Sequence, residues 1–155
     1  MLWLIYAAGL RRSELINLRV NDIDSKRMAI GIQGGKGKKD RITLLSEKVL
    51  GLLRTYFRQY KPKIWLFEGL PGKAYSASSL QKVFASALRK SGVRKEASLH
   101  TLRHSFATHL LENGTDIRYI QALLGHNSSK TTEIYTHVTT KAFEKIRSPL
   151  DNLDL

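Results

Sequence analysis

The sequence predicts a mainly α domain with one small antiparallel sheet, an α+β fold. Three observations carry that expectation. Apolar residues recur at helical spacing over much of the chain, as in Phe106, Leu110 and Leu111. Two short runs, Met28–Ile32 and Arg41–Leu45, break that spacing and read as strands either side of a glycine-rich turn. Capping and stop residues fall at the ends of the periodic segments.

The elements follow in order. The chain opens on an apolar helical run, Met1–Ala8, with no capping residue before it, so it reads as a piece of something longer. The run lacks a basic leader and is too short to span a bilayer. Residues 12–18 continue as a short helix with Leu15 and Leu18 facing inward. The two strands come next, joined by Gly34–Asp40, a cationic hairpin loop. Helices are expected over about 46–60 and 77–91, the second opened by Ser76 as N-cap. The helix carrying His100 and Arg103 ends at Asn113–Gly114, with glycine just past the helix end. Residues 116–124 form the next helix, stopped by Gly125. A short helix near 129–136 carries Tyr135, and a last one covers 139–147, with Phe143 and Ile146 as its modest apolar stripe. One domain is expected over 1–155, without internal repeats.

A chain of 155 residues can bury a real core, and 42% hydrophobic residues argue against disorder. Lys and Arg outnumber Asp and Glu by 26 to 13, a net charge of +13 that favours a polyanionic partner. No basic amphipathic helix or lipidation motif points to a membrane surface. The lack of cysteine excludes disulfides and thiolate zinc sites and fits a reducing cytoplasm.

The chemistry is carried by few residues. His100 and Arg103, three apart, share one helix face at a helix N-terminus, where backbone N–H groups favour an anion. His126 and Tyr135 follow nine residues apart, while Arg11 and Lys36 lie far upstream. Together these make two guanidiniums, one ammonium, two imidazoles and one phenol. That inventory suits a phosphodiester attacked by a protein nucleophile, because arginine forks match phosphate oxygens and a phenol can form a covalent phospho-intermediate. Each residue alone has a plainer reading. Arg11 pairs with Glu14 at the surface, Lys36 tips a solvated turn, His126 caps a helix end, and Tyr135 is a half-buried aromatic. Their joint order reverses that weighting. The loop is not a P-loop, since the pattern ending in Lys-Ser/Thr is missing. A zinc site is disfavoured: His100 and His104 are four apart, but no His-Glu-x-x-His occurs. His104 and His109 are read as structural. Arg12 is expected to face solvent or the DNA backbone, and Lys38, Lys39 and Arg41 to bind backbone phosphates.

On these residues the chain resembles the catalytic domain of tyrosine site-specific recombinases, the phage integrase and Xer group. The matching segments are AAGLRRSEL (7–15), GGKGKKDRITLL (34–45), LHTLRHSFATHLLENGTDIRYIQALLGH (99–126) and TTEIYTHV (131–138), in the family's order. The resemblance implies that Arg11 and Arg103 are the catalytic arginines and Lys36 the hairpin lysine. His100 and His126 take the two histidine positions, Tyr135 is the nucleophile, and Glu14 buttresses the first arginine. It implies the family's fold, double-stranded DNA as partner, and self-assembly into a tetrameric synapse through helix 139–147. It implies no cofactor and no metal. It places the protein in a bacterial cytoplasm, encoded by a chromosome, phage or mobile element and associated with the nucleoid. The family's N-terminal DNA-clamping domain and the start of its catalytic domain are not found in this sequence, and position 12, usually apolar, is Arg12. The rival readings are a truncated DNA-binding module without chemistry, a type IB topoisomerase-like enzyme, and a basic RNA-binding protein.

Overall fold

The computed structural model describes residues 1–34 and 40–125. Lys36, Lys38, Lys39, His126, Tyr135 and the helices expected at 129–136 and 139–147 lie outside the described residues.

Helix α1 (Leu2–Ala8) turns Leu4, Ile5 and Ala8 inward and stops at Gly9, whose φ of 62° is left-handed. A Cβ there would stand 2.5 Å from Cδ1 of Phe106, so both backbone and space demand glycine. Helix α2 (Arg12–Ile16) is two residues shorter than predicted, yet Leu18 is buried as expected. A 3₁₀ turn (Val20–Asp22) leads into the sheet.

That sheet has three antiparallel strands rather than two: β1 (Ile23–Asp24), β2 (Ala29–Ile32) and β3 (Arg41–Leu44), in that order, with Ile30 opposite Thr43. Thr43 is buried, and its hydroxyl donates to the Ala8 carbonyl at 2.8 Å, tying the sheet to the last turn of α1. A second, two-stranded sheet, not predicted, pairs β4 (Glu68–Leu70) with β5 (Lys73–Ala74). Its turn is Pro71–Gly72, with Gly72 at φ 72°, and the Glu68 carboxylate accepts from the backbone N–H groups of Lys63, Ile64 and Gly72. The expectation of one sheet failed because these strands are too short to show a periodic pattern.

Helix α3 (Glu47–Tyr60) packs Val49, Leu50 and Leu53 inward. Helix α4 (Ala77–Ser91) starts as predicted, with the Ser76 hydroxyl accepting from the N–H of Ser79 at 3.0 Å. Helix α5 (Leu99–Glu112) is capped by Ser98 and ends at Asn113, followed by Gly114 at φ 84°. Helix α6 (Ile117–Leu124) is capped by Asp116 and stopped by Gly125 at φ 62°. The main core gathers residues from α1 to α4, the first sheet and Leu99. A smaller apolar cluster, Phe106, Ala107, Ile120 and Leu124, joins α5 to α6.

Candidate active site

Glu14 lies at the third position of α2 and turns its carboxylate back on the helix start. Its Oε2 accepts the backbone N–H of Arg11 at 2.7 Å, and its Oε1 accepts Nη1 of Arg11 at 2.8 Å. From β3, Arg41 grips the same carboxylate with both terminal nitrogens, at 2.6 and 2.9 Å, the bidentate geometry in which guanidinium and carboxylate bind strongest. Arg103 of α5 approaches to 3.7 Å. One carboxylate thus holds three guanidiniums from three elements. Burial works to raise the Glu14 pKa, but the hydrogen bonds from Arg41 and Arg11 and the charge of Arg41 outweigh it and hold the carboxyl below its ordinary value.

The same arginines close the end of α6. The last carbonyls of a helix lack intrahelical partners and carry the negative end of its dipole. Here Leu123 accepts from Nε of Arg41 at 2.8 Å, Leu124 from Nη2 of Arg103 at 2.6 Å, and Gly125 from Nη2 of Arg11 at 3.2 Å. Nη1 of Arg103 also donates to the Gly9 carbonyl, so one buried side chain ties the ends of α1 and α6 to α5. Gly125 is needed because a Cβ would meet Cδ of Arg41 at 2.7 Å. Of the three arginines, Arg11 is the most open: its side chain is 24% exposed, against 8% for Arg41 and 2% for Arg103.

His100 sits exposed in the first turn of α5, edge-on to the half-buried His104 with ring centroids 4.3 Å apart. Partial withdrawal from water, then the charges of His104, Arg103 and Arg11, lower the pKa of His100; withdrawal from water and Arg103 lower that of His104. Both shifts favour the neutral ring, the form that can take up a proton. His109 has a structural partner, the Tyr6 hydroxyl at 2.8 Å from its Nδ1. Among the described residues no three His, Asp or Glu side chains gather where they could hold a metal ion.

The structure brings together Arg11, Glu14, His100 and Arg103, which the sequence scatters over more than ninety positions. Arg12 is exposed beside them, as expected. Arg41, expected to bind DNA phosphates with its loop neighbours, has its guanidinium buried and hydrogen-bonded to Glu14 and Leu123. Beside Arg11 a cleft of about 550 Å³ opens, lined also by Asn17, Arg19, Gln33 and Trp65, none of which the sequence reading singled out.

Residues 1–142 match the family model described as the phage integrase family. The tyrosine recombinase XerD of Staphylococcus saprophyticus is 39% identical over 153 residues, covering 94% of this chain and 52% of its own length. The crystal structure of XerA recombinase superposes with a TM-score of 0.82 and 34% identity, over 94% of this chain and 57% of that one. XerH site-specific recombinase, bound to its difH substrate in a pre-cleavage complex, gives a TM-score of 0.75 and 31% identity, over 93% of this chain and 44% of its own. The chain thus spans about half the length of the relatives it matches.

Proposed function

The chain belongs to the phage integrase family, and from that premise we propose that it is the strand-cleaving domain of a DNA recombinase whose nucleophile is Tyr135. The observation that carries this reading is the half-open Arg11 guanidinium, aimed by Glu14 and the α6 end and grouped with Arg103 and His100. Such a group stabilises a phosphate that gains charge in the transition state without reorganising around it. The XerH site-specific recombinase, held with its difH substrate in a pre-cleavage complex, supports a recombination-site substrate, which in this reading is duplex DNA.

The Tyr135 oxygen attacks the phosphorus in line. The new bond joins the phenol oxygen to the 3′ phosphate, and the bond to the 5′ oxygen breaks. A phenol with an ordinary pKa near 10 must lose its proton during attack, and His100 is its acceptor or relay. Arg11 and His126 hold the nonbridging oxygens, Arg103, buried against the Gly9 and Leu124 carbonyls, adds its positive charge behind them, and Lys36 gives a proton to the leaving 5′ oxygen. Attack by a 5′-hydroxyl from another duplex reverses the step and exchanges strands. In this reading four copies assemble on DNA, with helix 139–147 reaching a neighbour.

The test is a nicked suicide substrate, drawn from a pool of recombination-type sites, resolved on a denaturing gel for the parent chain and Tyr135→Phe, each with and without chelator. The expected result is a covalent protein–DNA adduct that needs Tyr135 and ignores the chelator. DNA binding with no adduct, also after a relative's N-terminal domain is fused on, would reduce the chain to a binding module.

A further inference from the structure

Arg19 stands outside the cluster around Glu14. Its segment is stitched to residues 64–66: the N–H of Leu66 donates to Leu18 at 2.7 Å, that of Val20 donates to Ile64 at 3.2 Å, and Arg19 pairs with Trp65 in an antiparallel bridge. Such pairing sets neighbouring side chains against each other. The Arg19 guanidinium carbon lies 5.4 Å from the centroid of the half-buried Trp65 ring, within cation–π range. Among the described residues this guanidinium makes no ion pair. The carboxylate nearest in sequence, Asp22, is engaged elsewhere: one oxygen accepts the backbone N–H of Arg19 at 2.7 Å, the other Nε2 of Gln33 at 2.9 Å.

Arg19 and Trp65 line the cleft that Arg11 also lines. Its two carboxylates, Glu14 and Asp22, are both nearly buried and hydrogen-bonded, whereas Arg19 is exposed. Of the cleft's two guanidiniums, Arg11 is paired with Glu14, which Arg41 and Arg103 also approach from outside the lining, so Arg19 is the one whose charge no carboxylate of the cleft takes up. An arginine already seated on a rigid ring loses little rotamer freedom when it closes on a ligand. The ligand such a fork fits is a phosphate, and a chain of +13 net charge with Arg11 in the same cleft points to a phosphate of a polyanion.

We propose that Arg19, carried on Trp65, is a DNA-binding residue that takes a backbone phosphate beside the one held at Arg11. This rests on the DNA-cleaving reading above. It is tested by fluorescence anisotropy of a short mixed-sequence duplex titrated with the full chain over a series of salt concentrations. Each phosphate neutralised contributes about −0.9 to the slope of log affinity against log salt. Arg19→Gln is expected to make the parent slope shallower by about that much, and Arg19→Lys to keep it. Arg27→Gln serves as the control, since that side chain is 82% exposed and loosely paired with Asp24 at 3.8 Å; it should keep the parent slope. Thermal unfolding of each variant confirms that it is folded. An unchanged slope in Arg19→Gln, or an equal change in Arg27→Gln, overturns the inference. A Tyr135-dependent adduct combined with an unchanged Arg19→Gln slope sinks this inference alone; a parent that binds no DNA at any salt sinks the DNA reading as well.

Discussion

Glu14 is 9% exposed and faces Arg11, Arg41 and Arg103 together. Removing the charge of one partner in a buried ion cluster leaves the others uncompensated, which costs about 3–5 kcal/mol. Glu14→Gln should lose stability of that order in urea unfolding. The pH dependence follows from the lowered pKa. In the unfolded chain the carboxyl regains its ordinary value, so the unfolded state takes up a proton first as pH falls. The stabilisation is therefore complete above the ordinary carboxylate range and is lost as pH drops through the lowered native pKa. The parent should show a steeper acid limb than Glu14→Gln; parallel limbs would mean that this carboxylate does not govern acid sensitivity. The pairing of Glu14 with Arg11 was legible in the sequence because the two lie three positions apart at a helix start. Its pairing with Arg41 was not. An arginine in a run of loop cations reads as a surface charge, and only the folded sheet brings it across 27 positions to Glu14.

The helices were legible where a cap and an apolar stripe coincide, as in α4 behind Ser76 and α5 around Phe106. The four-residue strands β2 and β3 were legible beside their glycine-rich turn, but the shorter β1, β4 and β5 were not, although Pro71–Gly72 is a turn signal that could have revealed the β4–β5 hairpin. Glycine stops carry a sharper lesson, because equal backbone angles conceal unequal surroundings. Gly9 and Gly92 both end helices with positive φ, 62° and 70°. A Cβ on Gly92 meets nothing within 4 Å, whereas one on Gly9 overlaps Phe106 and Leu124. Gly92→Ala should therefore lose only the left-handed penalty of about 1–2 kcal/mol. Gly9→Ala should lose that and a further overpacking term of about 1–3 kcal/mol. Urea midpoints of the two variants separate the terms, and equal losses would show that the α1–α5–α6 junction relaxes freely.

At the scale of the described molecule, α6 is attached differently from α1 and α3. Helices α1 and α3 sink into the main core, but α6 rests on a satellite cluster of four buried residues and on three arginines gripping its last carbonyls. Proteins open locally in units whose free energies follow buried apolar contact, so α6 is the natural candidate for opening below the global unfolding energy. In the proposed reading this matters for catalysis, because the second histidine position follows Gly125 directly. The residues that hold the end of α6 include the two proposed catalytic arginines. Native-state hydrogen exchange reads the attachment by element. The amides of α6 should exchange faster than those of α3 around Val49, Leu50 and Leu53. Arg41→Gln, which removes the guanidinium from both Glu14 and Leu123, should speed exchange in α6 and leave α3 unchanged. If both helices sped up equally, the arginine clamp would belong to the global fold, and α6 would have no independent opening for the clamp to control.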